Sequence, residues 1–319
     1  MIDKRPKSGS ALTATLDDHH QSSRYYSEEE VWIEYINSLL LGRFFKLHNA
    51  PIITSPNIRV VAYNTRDTDS EQYALISHMI PWKNTQDHTL YINPEGLKSV
   101  VRQIFWVEAI LGSSDLCHQI ATLPNGSFHR IDTTGNLSNS NLKERLAELF
   151  FPIRHLDYYV TTAAYDRSRV SDLPKPLPSA YALINFSYTA AEMLTEIDRT
   201  LLTIQNPEFA NLYNQLIRAN PQAKKHIDKL ARNFLARADE LVELRAELIE
   251  ALDTNPDLRL HEFVGRHCVK EPEMVENYNE KLTRAKPQIE DFREATIKQA
   301  TTLLTRLDNS GNNSTTLSR

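Results

Sequence analysis

The sequence predicts an α+β protein that is mainly helical, with a small sheet in its first half and a long helical second half. Three observations predict it. Runs with strand character, such as "NIRVVAYN" and "QYALISHMI", are confined to residues 57–132. Beyond about residue 179, apolar side chains recur at spacings of three and four almost without interruption. The chain has 319 residues, 41% hydrophobic and 24% charged, which is the composition of a soluble globular protein with a substantial core.

Residues 1–26 are polar and show neither helical nor strand periodicity, so they read as a loose arm, with "MIDKRPKS" as a remnant strand. "SEEEVWIEYINSLLLGRFFKL" predicts a helix from Ser27, with Ser as N-cap and Glu30 completing a capping box. "NAPIITSP" breaks that helix, and two antiparallel strands follow, joined by the polar turn "TRDTDS". "PWKNTQDHTLYINPEG" is a linker, and "LKSVVRQIFWVEAILG" is a buried helix that ends at Gly112. A short hairpin closes this half. After it, "NLKERLAELFFPIRHLDYYVTTAAYD" is helical and interrupted at Pro152, and "RVSDLPKPLPS" is an extended connector. The remaining helices are expected at roughly 179–204, 207–218, 221–253, 257–267 and 272–308, ahead of a polar tail over 309–319. Trp32, Phe44, Phe45, Phe105, Trp106, Phe150 and Phe151 are the expected aromatic core. The alternating Arg and Glu of residues 232–250 read as a solvated face with helical pairs.

Several function classes are disfavoured by composition. The net charge of -5 gives no basic face for nucleic acid. The two cysteines, Cys117 and Cys268, suit neither a disulfide framework nor a zinc site. "HEFVGRHC" has its second histidine six residues after the first, about 240° round a helix, so His261 and His267 cannot share a metal there. No apolar run approaches the roughly 18 residues of a membrane span, and no signal-peptide core is present. The expected location is the cytosol, or a host cytosol reached without a cleavable signal.

The stretch that carries chemistry is "ILGSSDLCHQIATLPNGSFHRIDTTGNL", residues 110–137. Lone aspartates, Asp115 and Asp132, stand at the two ends of its hairpin. Phosphoryl transfer needs a carboxylate near the attacking hydroxyl, and a second carboxylate with an amide oxygen to hold Mg²⁺. Asp115 would be the base or positioning residue, Asp132 the main metal ligand and Gln119 the amide ligand. The plain alternatives are that Asp115 is an N-cap for "LCHQIA" and that Asp132 opens a β-turn.

The arrangement resembles the catalytic segment of the protein-kinase-like superfamily, above all its divergent branches. These are the lipid kinases, the HipA-like bacterial kinases and the kinase-like effectors secreted by intracellular bacteria. "GSSDLCHQ" matches the first catalytic element and "GSFHRIDTTG" the second. "YALISHMIPWKN" looks like the last sheet strand running into the hinge, so backbone groups around His78 and Ile80 would face the adenine of ATP. The helix "EEEVWIEYINSLLLGRFF" looks like the regulatory helix, with Glu34 as the ion-pairing acid and Lys4 or Lys7 as the phosphate-clamping lysine. The resemblance implies a reduced N-terminal lobe over 27–95, a catalytic-segment-like region over 96–175 and a helical extension over 176–308. It further implies ATP and Mg²⁺ as cofactors and a protein or lipid hydroxyl as substrate. The chain departs from the family at two points: Gln119 stands where an asparagine is usual, and no glycine-rich loop is present. Those departures leave open a truncated or split kinase, a degenerate pseudokinase, or a non-catalytic protein whose helical region binds a protein partner.

Overall fold

The computed structural model describes residues 2–4, 28–54, 58–64, 71–77, 94–112, 120–122, 127–130, 133, 141–151 and 188–284. Helix α1 (Glu28–His48) opens on Glu28, Glu29 and Glu30 and closes on Lys46 and His48, so its charges oppose its dipole at both ends. Burial runs round the whole helix, from Val31 and Trp32 through Leu40 and Leu41 to Phe44, Phe45 and His48. A helix buried on all sides has neighbours on all sides. It ends on Asn49 at φ 54°, and the N–H of Ala50 reaches back to the Phe45 carbonyl. Asparagine tolerates this left-handed turn better than any residue but glycine.

Two small three-stranded sheets flank α1. The first orders its strands β1 (Ile2–Lys4), β4 (Glu71–Ser77) and β3 (Arg59–Asn64), with β4 in the middle and both pairings antiparallel. Lys4 pairs in register with Leu75, and Leu75 packs on Val31 of α1. The second sheet orders β2 (Ile52–Thr54), β6 (Phe128–Arg130) and β5 (Ile120–Thr122). β5 and β6 form the expected antiparallel hairpin, while β2 lies parallel to β6. "NAPIITSP", which reads as a helix breaker, is therefore also a strand. Its edge position and its distant partner leave it no local signature. Close contact with α1 makes room for it, because a Cβ on Gly42 would stand 2.8 Å from Thr54 Oγ1.

Helix α2 (Pro94–Leu111) is the second central element, and Gly112, at φ 81°, ends it. Helix α3 (Leu142–Phe150) begins on Asn141, whose side chain accepts from the Glu144 N–H. The second half comprises α4 (Ala190–Gln205), the short α5 (Pro207–Ala210), α6 (Leu212–Ala219), a 3-10 turn at Pro221–Ala223, the long α7 (Lys224–Thr254) and α8 (Leu260–His267). Residues 272–284 are helical as well. Thr189 and Glu192 form a capping box at the start of α4. The Ala190 N–H donates to the Leu258 carbonyl and the Leu260 N–H to the Tyr188 carbonyl, joining the starts of α4 and α8.

Among the described residues, the larger hydrophobic core runs from Trp32 through Phe105, Trp106 and Phe150 to Phe263 and Tyr278. All seven aromatic residues expected inside are buried. α4 and α7 pack against both α1 and α2, so the helical half completes the core of the first half. The indole of Trp106 donates to the Met193 carbonyl at 2.9 Å across that junction. His48 meets Thr203 through Nδ1 at 3.0 Å and lies 3.6 Å from Glu196, which ties the end of α1 to α4.

Candidate functional site

Asp115, Gln119, Asp132, Lys7, His78 and Ile80 lie outside the described residues. Lys4 is described as a member of β1, and Glu34 with its side chain. What can be built is the frame that flanks the segments holding Asp115 and Asp132 in the sequence, and it is held at three points.

The first is the end of α2. A helix leaves its last carbonyls without intrahelical partners. Here the Arg145 guanidinium donates to the Gly112 carbonyl, and the Arg237 guanidinium donates to the Ile110 carbonyl at 2.9 Å. Both arginines are buried. Burial pulls Arg237 below the usual guanidinium range, and the neighbouring Arg145 charge adds to it. These two cations come from α3 and α7, yet they converge on one helix end, where positive charge offsets the dipole. Asp115 follows Gly112 by three residues, a span that reaches no farther than about 11 Å.

The second is the hairpin. Ile120 stands opposite Arg130, and Gln119 directly precedes Ile120. Arg130 crosses to α2, where Nε lies 2.7 Å from Glu108 Oε1 and Nη2 3.1 Å from Oε2. Both side chains are almost wholly inaccessible, at 1% and 2%. A buried carboxylate is costly unless a cation meets it with good geometry, and a bidentate arginine supplies that geometry. His129, between Phe128 and Arg130, is buried too, with no hydrogen bond at either ring nitrogen. Burial pushes its imidazole down to about 4, so it is neutral at pH 7.

The third is Thr133, which directly follows Asp132. Its hydroxyl donates to the Glu34 carbonyl at 2.9 Å, and its own carbonyl accepts from the Asn37 side-chain amide at 3.0 Å. Thr133 is buried, as are Glu34 and Asn37. Thr133, the residue after Asp132 in the sequence, is thereby tied to α1 at the turn that carries Glu34. Arg130, at the end of β6, reaches α2, and Thr133 reaches α1; Asp132 stands between these two anchors in the sequence.

Sequence reasoning singled out Glu34 but missed Asn37, Glu108, Arg130, Thr133, Arg145 and Arg237. A signal existed for Glu108, a single charge in the apolar run "IFWVEAIL", which must find a cation if the helix is buried. For Arg145 and Arg237 there was none, since both sit among ordinary helix-surface charges. The face of residues 232–250 is accordingly not all solvated. Arg237 caps α2, Glu240 accepts from the Leu142 N–H, and Glu247 binds Lys143 at 2.6 Å.

Among the described residues, no group of three or more His, Cys, Asp and Glu side chains is arranged to hold a metal, and no helix is long and apolar enough to cross a membrane. Compared with family models, with curated proteins and with solved structures, the chain matches none.

Proposed function

We propose that the chain is a kinase-like phosphotransferase that binds Mg·ATP between α1, β4 and the β5–β6 hairpin and transfers phosphate to a protein or lipid hydroxyl. In this reading Asp132 is the main Mg²⁺ ligand, Gln119 supplies a second oxygen and Asp115 positions or deprotonates the hydroxyl. Backbone groups around His78 and Ile80 hold the adenine. The observation that carries the reading is the double hydrogen bond between Thr133 and α1. It couples the residue after the proposed metal ligand to the helix turn that carries Glu34, as a kinase needs when its metal-binding acid and its regulatory helix act together. The register of β1 favours Lys4 over Lys7 as the phosphate-clamping lysine. Lys4 opposes Leu75, which packs on Val31, three residues before Glu34. The donor set also fits the metal, since a carboxylate, an amide oxygen and phosphate oxygens are what Mg²⁺ prefers.

Thermal unfolding with ATP and Mg²⁺ together, with each alone, and with ATP plus chelator tests the reading. A ligand at a hundred times its dissociation constant adds about 2.7 kcal/mol of stability. The expected result is a clear upward shift that requires both components and is lost in Asp132→Ala. No shift with Mg·ATP overturns nucleotide binding, and a full shift in Asp132→Ala overturns the metal role. A non-catalytic interaction protein is the second reading, favoured by the apolar stripe that α7 presents to solvent.

A further inference from the structure

Three of the four large hydrophobic side chains most exposed among the described residues fall in one region: Leu202 at 70%, Leu235 at 60% and Val242 at 50%. Leu235 and Val242 belong to the outer face of α7, and Leu202 to the neighbouring α4. α4 and α7 run antiparallel, as the ion pair Asp198–Arg245 and the bond from the Ala190 N–H, at the start of α4, to the Leu258 carbonyl, just beyond the end of α7, show. Leu202 is therefore level with Val242.

The outer face of α7 has a regular composition. Arg232, Leu235, Asp239, Val242, Ala246, Ile249 and Asp253 follow one another at alternating spacings of three and four, and all but the half-buried Ile249 are exposed. Leu235, Val242 and Ile249 thus recur every seven residues, one apolar row flanked by charged side chains, on a face that a second helix can cover. From Arg232 to Asp253 this face spans 22 residues, about 31 Å of helix. It is also self-complementary when reversed about Val242. Leu235 then meets Ile249, Asp239 meets Ala246 beside Arg245, and Arg232 meets Asp253 at both ends. The parallel alternative would set Arg232, Asp239 and Asp253 each against its own copy. Among the described residues, Arg232, Asp239 and Asp253 make no ion pair. Antiparallel helices also align their dipoles favourably.

We propose that this face of α7 is the interface of a homodimer, in which two copies pack α7 against α7 antiparallel about a two-fold axis through Val242. The contact is isologous, so it closes on itself and builds no filament. Leu202 of each copy flanks the axis and widens the apolar strip. The interface uses no residue of the proposed nucleotide site, so it stands or falls independently of that reading.

Sedimentation of the full-length chain over a wide concentration range is the test, with circular dichroism to show that every variant is folded. The expected result is a reversible dimer. Val242→Asp abolishes it. Arg232→Asp and Asp253→Arg each weaken it about tenfold, because the two-fold axis makes every surface charge change count twice. The combined variant R232D/D253R restores it. Val242→Cys forms a disulfide-linked dimer under mild oxidation, whereas Leu235→Cys alone does not. A monomer at every concentration overturns the proposal. So does a dimer indifferent to Val242→Asp, or one that Leu235→Cys cross-links to itself.

Discussion

Arg130 donates two hydrogen bonds to Glu108, at 2.7 and 3.1 Å, with both side chains sealed from solvent. The pair joins the middle strand of the second sheet to the helix whose C-terminus precedes Asp115. Removing one member of a buried pair is far more damaging than replacing both. Glu108→Ala is expected to cost about 3–5 kcal/mol, whereas the double change Glu108→Leu with Arg130→Met is expected to recover most of that loss. Urea denaturation midpoints at constant m-value check the prediction, and equal losses in the single and double variants would contradict it.

The link between Thr133 and α1 separates local from functional roles. Thr133→Val keeps the shape and removes only the hydroxyl that donates to the Glu34 carbonyl, so stability is expected to fall by about 1 kcal/mol. On the proposed reading, in which the neighbouring Asp132 is the metal ligand, the Mg²⁺-dependent part of the ATP thermal shift is expected to fall further than that loss explains. Measuring the shift with and without chelator isolates this part. Equal proportional losses in both would show that Thr133 is merely structural.

His129 makes stability depend on pH with a definite sign. Its folded-state value is about 4 against an ordinary 6.5, so the unfolded chain takes up the proton first as pH falls. Stability is therefore retained above about pH 6.5, declines between 6.5 and 4, and loses roughly 3 kcal/mol from this residue alone by pH 4. His129→Leu is expected to flatten that slope while leaving pH 8 stability close to wild type or higher. Denaturation curves at several pH values decide it, and parallel slopes in the two proteins would refute the assignment.

Gly42 is held by a close approach, since its φ is not in the left-handed range. In a free helix surface, alanine would gain about 1 kcal/mol over glycine. Here the new Cβ meets Thr54 Oγ1, a stiff β-branched side chain, at 2.8 Å. Gly42→Ala is expected to destabilise wild type by about 1–2 kcal/mol and to stabilise a Thr54→Ala background. Thermal melts of the four proteins form the cycle, and the same sign in both backgrounds would disprove the contact.

Much of the architecture was legible beforehand, for physical reasons. Gly112 ends α2 because only glycine readily takes the φ of 81° found there. The strands β3 and β4 and the β5–β6 hairpin announce themselves by alternation and turn residues, and α7 by its spacing. The seven aromatic residues had to be inside because no surface could hide so much apolar area. Glu34, one turn into α1, was legible as a candidate from the resemblance, but its burial was not.

By itself, then, the chain's order of residues determined the α+β, mainly helical class, the end of α2 at Gly112, its aromatic interior and the pairing of β5 with β6, whereas α4 starts at Ala190 and not near residue 179. Those features rest on local forces, namely backbone conformation, periodicity and capping, which act between residues a few positions apart. Only the tertiary structure decided that Ile52–Thr54 joins β6, that Arg145 and Arg237 meet at the end of α2, and that Thr133 is tied to the Glu34 turn. Each joins groups from tens of residues to more than a hundred residues apart, through hydrogen bonds whose value depends on burial, and burial belongs to the packed molecule.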